Sequence, residues 1–213
     1  MISPDASVAE LEPWIAAGLH PLADYDPAAG SVRSDHDLDP EQPRPTLSAA
    51  PSPAAVLVAL VEREAGLSVL LTRRADTLTK HSGQVAFPGG RCDPGETPCE
   101  TALREAEEEI GLDRAFVRVM GLGDAYETIT GFRVIPVVGF VRLGFTLTPS
   151  PAEVADVFEV PFAFLMNPAN HERRVQAFQG RERHYYAMPH EEHLIWGATA
   201  GMLRGLYERV FIR

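Results

Sequence analysis

Lysine is almost missing from this chain: Lys80 is the only one, and every other basic side chain is arginine. We read that as compositional bias of the source genome. Cysteine is scarce as well. Cys92 and Cys99 are the only two, too few for a disulfide framework, and their scarcity fits a reducing, intracellular compartment. No apolar run reaches the roughly 18 residues needed to cross a bilayer. The opening residues, MISPD, lack the basic and apolar regions of a signal peptide. A cytoplasmic location and no membrane partner are therefore expected. Positive charge is also short, with 19 Lys and Arg against 30 Asp and Glu for a net charge of −11. That excludes a broad basic face for nucleic acid or anionic lipid. It also makes a polyanionic small molecule awkward, unless a metal ion or local arginines reverse the sign.

What is present is an ordinary globular balance, 45% hydrophobic and 23% charged over 213 residues, enough for one domain with a sizeable core. Residues 1–50 differ from the rest. VAELEPWIAA at residues 8–17 can form a short amphipathic helix, weakened by Pro13. The stretch after it, with DYDP, SDHDLDP and EQPRP, is too polar to repay its own ordering unless it packs on the main domain. Residues 1–50 are thus expected to be an N-terminal arm and residues 51–213 the domain. Short apolar runs predict strands at 54–61 and 67–72, joined as a hairpin at Gly66, and at 84–87, 116–122, 134–141 and 184–188. Residues 157–160 predict an edge strand or turn. Helices are predicted at 98–110 and 196–210. Strands and helices mixed without strict alternation imply an α+β or mixed-sheet α/β sandwich.

The first of those helices carries the chemistry. Thr97, Pro98 and Glu100 form a capping box with proline at the first helical position. Gly111 can take the left-handed conformation that ends a helix. Ala102, Leu103, Ala106 and Ile110 make an apolar face. Glu105, Glu108 and Glu109 share another face at i, i+3 and i+4, and Arg104 lies four residues before Glu108. Two readings stand at this point. One is a solvated acidic face, the usual meaning of a charge run. The other is a site for a hard divalent cation such as Mg²⁺, which takes carboxylate oxygens and substrate phosphates and would bring a phosphate compound to an acidic protein.

Gly90, Glu96, Arg104-Glu105-Ala106, Glu108-Glu109 and Gly111-Leu112 together resemble the Nudix box of the Nudix hydrolases. The resemblance implies a Nudix fold, a mixed β-sheet sandwiched between helices with a catalytic loop–helix–loop. It also implies hydrolysis of a diphosphate linked to another group, with Mg²⁺ or Mn²⁺ as cofactor. Glu105, Glu108 and Glu109 would be metal ligands, Glu105 and Glu109 foremost, with the Gly89 carbonyl a further candidate. Glu105 is alternatively the group that orients or deprotonates water. Arg104 would hold the helix carboxylates in place, and Glu96 would be structural.

Two further segments narrow the resemblance. LLTRRADTLTKHSGQVAFPGG at residues 70–90 and HLIWGATAGML at residues 193–203 are similar to the coenzyme A diphosphatase branch. That implies coenzyme A or an acyl derivative as the small-molecule substrate, yielding 3′,5′-ADP and 4′-phosphopantetheine. Arg73, Arg74, Lys80 and Arg91 flank the site as candidate phosphate contacts, with Arg74 matching an arginine of the branch. Three alternatives stay open: a Nudix hydrolase of ADP-ribose, NADH or a nucleoside triphosphate, a Nudix-fold binding module without turnover, and, by fold, an isopentenyl-diphosphate isomerase. His81 is a candidate general base or a loop-fixing group, and Glu127 and Glu153 are candidate extra ligands or bases. Cys92 and Cys99 are read as incidental, and Trp196, Tyr185 and Tyr186 as core anchors rather than base-stacking platforms. The sequence leaves the assembly open, a homodimer being one option. Because every motif lies after it, deletion of residues 1–49 is expected to leave a folded hydrolase.

Overall fold

The run AAVLVALV has no polar face because both of its faces are covered. In the computed structural model, which describes residues 2–39, 41, 50–76, 83–178 and 181–212, it lies in the middle of a sheet between two hydrophobic cores. Ala54, Val58 and Leu60 point into one core, and Ala55, Leu57, Ala59 and Val61 into the other. A central strand buried on both sides reads as a continuous apolar run.

In chain order the elements begin with helix α1 (Val8–Gly18), then strands β1 (Arg33–Ser34), β2 (Ser52–Arg63), β3 (Gly66–Arg74), β4 (Val85–Ala86) and β5 (Gly89–Arg91). Helix α2 (Pro98–Ile110) follows, then β6 (Val117–Leu122), β7 (Tyr126–Glu127), β8 (Phe132–Val141), β9 (Val154–Pro161) and the one-turn helix α3 (Phe162–Leu165). Strands β10 (Glu172–Phe178), β11 (Arg181–His190) and β12 (His193–Trp196) lead to the final helix α4 (Ala198–Phe211). Among the described residues no helix is long and apolar enough to cross a membrane.

The large sheet runs β1-β7-β8-β2-β3-β4, with β5 added to β2, β6 to β8 and β9 to β3. The β2–β8 and β1–β7 pairs are parallel and the other pairs antiparallel, so the sheet is mixed. The expected hairpin forms, with Arg63 opposite Gly66, whose φ of 114° favours glycine. Helix α2 covers one face through Ala102, Ala106 and Ile110, all fully buried. Helices α1 and α4 cover the other through Leu11, Ile15, Leu203 and Leu206. This is the expected α/β fold, a mixed sheet between helices. The second sheet, β10-β11-β12, is antiparallel, and β12 packs beside β4.

Two expectations need correction. Residues 1–50 do not form a detached arm, at least over the described residues 2–39. Leu11 and Ile15 are 1% and 0% exposed in the core, and the Trp14 indole N–H donates to the Val210 carbonyl at 2.9 Å. His20 and Leu122 exchange two backbone hydrogen bonds of 2.9 Å. β1 pairs with β7, and the Asp35 carboxylate accepts from the Tyr126 hydroxyl at 3.0 Å and the Ile129 N–H at 2.8 Å. Polar composition did not prevent ordering here, because Asp35 and its neighbours pair with partners supplied by the sheet. The last helix also begins later than expected. Trp196 ends β12, Gly197 takes φ 64°, and the helix starts at Ala198.

Candidate active site

Both ends of α2 are set by its own residues. The Thr97 hydroxyl accepts from the Glu100 N–H at 3.3 Å, and the Glu100 carboxylate accepts from the Thr97 N–H at 2.8 Å. At the other end Gly111 takes φ 69°, and the Leu112 N–H reaches the Ala106 carbonyl at 3.2 Å. The loop after β8 then closes on the helix. Thr148 and Ser150 donate backbone N–H groups to the Ile110 and Glu109 carbonyls at 2.8 and 2.9 Å. With Ala102, Ala106 and Ile110 locked in the core, rotation about the helix axis is fixed, and Glu105 and Glu109 face β5.

Glu109 is the most enclosed carboxylate, 4% exposed. Its Oε2 accepts from the Gly89 N–H at 3.0 Å, and its Oε1 lies 3.7 Å from Arg74 Nη1. Burial pushes its carboxyl up to about 7; Glu105 and Glu153 add to the rise, while the Gly89 N–H and Arg74 oppose it. Glu105 is held against Gly90 so closely that a Cβ there would come within 2.5 Å of its Oε1. Its carboxyl is raised too, by burial first and also by Glu108 and Glu153, against the pull of Arg104. Glu108 is different: its side chain is 58% exposed, and Arg104 reaches it at 3.0 Å. The spacing puts three glutamates on one helix face; the structure encloses Glu105 and Glu109, the two expected foremost as ligands, and leaves Glu108 at the rim.

Arg104 ties this group together. It grips Glu96 with two hydrogen bonds of 2.8 and 3.0 Å, and reaches Glu105 at 2.9 Å, Glu108 at 3.0 Å and the Arg91 carbonyl at 3.2 Å. Glu96 also accepts from the Thr101 hydroxyl at 2.8 Å and the Asp93 N–H at 2.9 Å. With Arg104 the main cause, its carboxyl is held down at about 2. Charge-assisted bonds of this kind fix geometry more than they add stability.

The other flanking cations separate. Arg74 lies beside Glu109, and its Nε is buried without a hydrogen-bond partner among the described residues. Arg73 turns to Asp76 at 3.1 Å. Arg91 lies over the Phe132 ring, 5.7 Å from its centroid. Lys80 and His81 fall outside the described residues. Glu153 follows the Ser150 turn, and its charge is felt at both Glu105 and Glu109. Glu127 lies on β7, opposite Arg133. Cys92 and Cys99 pack against the α2-side core. Burial and Glu100 raise the Cys99 thiol pKa, the reverse of what a thiolate nucleophile requires. Tyr185 and Trp196 form an edge-on pair at 5.5 Å. Sequence reasoning missed the Gly89 N–H as a carboxylate donor and the need for a bare Gly90 beside Glu105. The signal available for both was the Pro88-Gly89-Gly90 turn.

Among the described residues, no cluster of three or more His, Cys, Asp and Glu side chains is placed to hold a metal ion. The donor set nevertheless fits one. Glu105 and Glu109 are enclosed carboxylates whose proton affinity is raised by burial first and by acidic neighbours, Glu108 and Glu153 for Glu105 and Glu105 and Glu153 for Glu109, a penalty that a bound cation would relieve. Hard oxygen donors suit Mg²⁺ or Mn²⁺.

A sequence model described as the NUDIX domain matches residues 51–180. An uncharacterized Nudix hydrolase, NudL, of Yersinia enterocolitica is 40% identical over 174 residues, covering 81% of this chain and 89% of the relative. Its namesake in Photorhabdus laumondii is 39% identical over 158 residues, covering 74% and 84%. A solved Ap4A hydrolase from C. elegans is 20% identical, with a TM-score of 0.44, over 50% of this chain and 77% of that one. On the matched domain and on relatives at this identity over most of both chains, this protein belongs to the Nudix hydrolase family, enzymes that hydrolyse a diphosphate linked to another group.

Proposed function

We propose that this chain hydrolyses the diphosphate bond of coenzyme A or its acyl derivatives, giving 3′,5′-ADP and (acyl-)4′-phosphopantetheine. In this reading Glu105 and Glu109, with Glu108 at the rim and the Gly89 carbonyl, hold Mg²⁺ or Mn²⁺. Such a cation neutralises diphosphate charge and activates water when bound. Arg104 keeps the carboxylates oriented, and Arg74, with Arg73, Lys80 and Arg91, serves the phosphates. The work left to the protein is positioning and charge, which is what phosphoryl chemistry needs most.

One observation carries the choice of coenzyme A. The two segments that resemble the coenzyme A branch, residues 70–90 and 193–203, are far apart in sequence and meet in space. The Thr199 hydroxyl donates to the Val85 carbonyl at 3.1 Å, and β12 packs beside β4. Their contact supports reading them as parts of one substrate site.

The test is a panel of coenzyme A, 3′-dephospho-coenzyme A, ADP-ribose and NADH with Mg²⁺ or Mn²⁺, with products identified. A charge-assisted hydrogen bond to the 3′-phosphate is worth roughly 1.5–3 kcal/mol. The expected kcat/KM for coenzyme A is therefore about tenfold or more above that for the dephospho compound. Faster hydrolysis of ADP-ribose than of either coenzyme overturns the substrate assignment and points to another nucleoside diphosphate derivative.

A further inference from the structure

Among the described residues, Arg74 is a guanidinium at the site whose bonds do not fully explain its position. Its backbone is fixed: its N–H donates to the Gln84 carbonyl at 3.0 Å, and its carbonyl accepts from the Gly83 N–H at 3.2 Å. The pairing of β3 with β9 shifts register between Arg73 and Arg74. Such an irregularity re-aims side chains and is common beside active sites. Adjacent strand residues point to opposite faces, so one arginine faces Asp76 and the other Glu109. Yet the Arg74 side chain is held loosely. Its ion pair to Glu109 Oε1 spans 3.7 Å, beyond hydrogen-bond reach, and its buried Nε has no partner among the described residues. Arg104, by contrast, is fully engaged by Glu96, Glu105 and Glu108.

Glu109 is divided in a complementary way. Oε2 is anchored by the Gly89 N–H, and Oε1 faces Arg74. A cation seated on Oε1 and a guanidinium beside the same oxygen repel each other. Resting on the reading of Glu109 as a metal ligand, we propose that Arg74 and the divalent cation compete for Glu109 Oε1. The displaced guanidinium, still fixed at its backbone, is then offered to the substrate diphosphate, where a planar fork meets phosphate oxygens well. Arg74 is thus a substrate-binding residue that couples cation binding to diphosphate binding. The coupling is reciprocal, as any linkage between two binding events must be.

The experiment measures Mn²⁺ binding to the full chain by calorimetry after chelation and dialysis. It then measures binding of methylenediphosphonate with and without Mn²⁺. For Arg74→Gln the expected result is Mn²⁺ affinity roughly three- to tenfold higher than wild type, from loss of a positive charge at a partly screened site. Methylenediphosphonate should bind this variant more weakly, with its Mn²⁺ enhancement reduced. Arg74→Lys keeps the charge and should return Mn²⁺ affinity to near the wild-type value. Should Arg74→Gln not fold by circular dichroism, Arg74→Met, which also removes the charge, is read in its place against the same two outcomes. A purely structural Arg74, one that holds Glu109 ready, predicts the opposite sign: unchanged or weaker Mn²⁺ binding in Arg74→Gln overturns the proposal. Glu109→Gln tests the underlying reading separately, because unchanged Mn²⁺ affinity there removes Glu109 as a ligand whatever Arg74 does.

Discussion

Glu109→Gln is expected to lower turnover by roughly 10²–10³-fold while leaving the melting temperature unchanged or higher. The catalytic loss follows if Glu109 holds the cation, since charge stabilisation worth several kcal/mol in the transition state converts at about 1.4 kcal/mol per decade of rate. The stability result has a different origin. Glu109 is 4% exposed, and burial raises its carboxyl to about 7. The ionised form is therefore disfavoured by the fold, and a neutral amide of the same shape removes that cost. The glutamine carbonyl can still accept from the Gly89 N–H. Glu105→Gln should behave alike, because its side chain is also enclosed, whereas Glu108→Gln should cost less, its side chain being 58% exposed. Steady-state kinetics with a thermal melt on each variant decide the matter. Near-normal turnover in Glu109→Gln would falsify its role as a ligand.

Removing α1 is expected to destabilise the protein severely, against the reading of residues 1–50 as a dispensable arm. Leu11 and Ile15 are fully buried, and each contributes about 1.5–3 kcal/mol by burial alone. Removing α1 also uncovers Val210 on α4, against which Gly18 packs, and takes the Trp14 indole from its carbonyl. The combined loss approaches the 5–15 kcal/mol by which whole domains are stable. A chain starting at residue 20 should therefore show no cooperative melt near the full-length temperature. Ile15→Ala is the milder check. It should cost about 2–5 kcal/mol, or roughly 5–15 °C in a chain of this size. A truncated chain that melts like the full one would restore the arm.

Local rules account for much of what the sequence made legible. Helix α2 was bounded correctly because Thr97, Glu100 and Gly111 satisfy its orphan backbone groups from within a few residues. The β2–β3 hairpin was legible because Gly66 alone can make the turn. The mixed sheet between helices was expected from strands and helices that do not strictly alternate and from the resemblance to the Nudix box. Strands β10 and β12 were not legible: ERRVQAF is mostly exposed and lacks alternation, and HLIW is too short to show any. Helix α1 was seen, but its burial was not, because its partner on α4 lies almost two hundred residues away.

The sequence by itself determined the order of the carboxylates on α2 and the glycines before it, since spacing along a helix is a property of the chain. Only the tertiary structure decided which carboxylates are enclosed. The core contacts of Ala102, Ala106 and Ile110 set the helix rotation, and that rotation turns Glu105 and Glu109 toward β5 and leaves Glu108 at the rim. It likewise decided that Arg74 and not Arg73 stands beside Glu109: alternation along β3 puts the two arginines on opposite faces, and the packing of α2 on the sheet decides which of those faces Glu109 meets. Burial, and the charge balance that follows from it, arises from contacts between distant segments, and no local pattern encodes them.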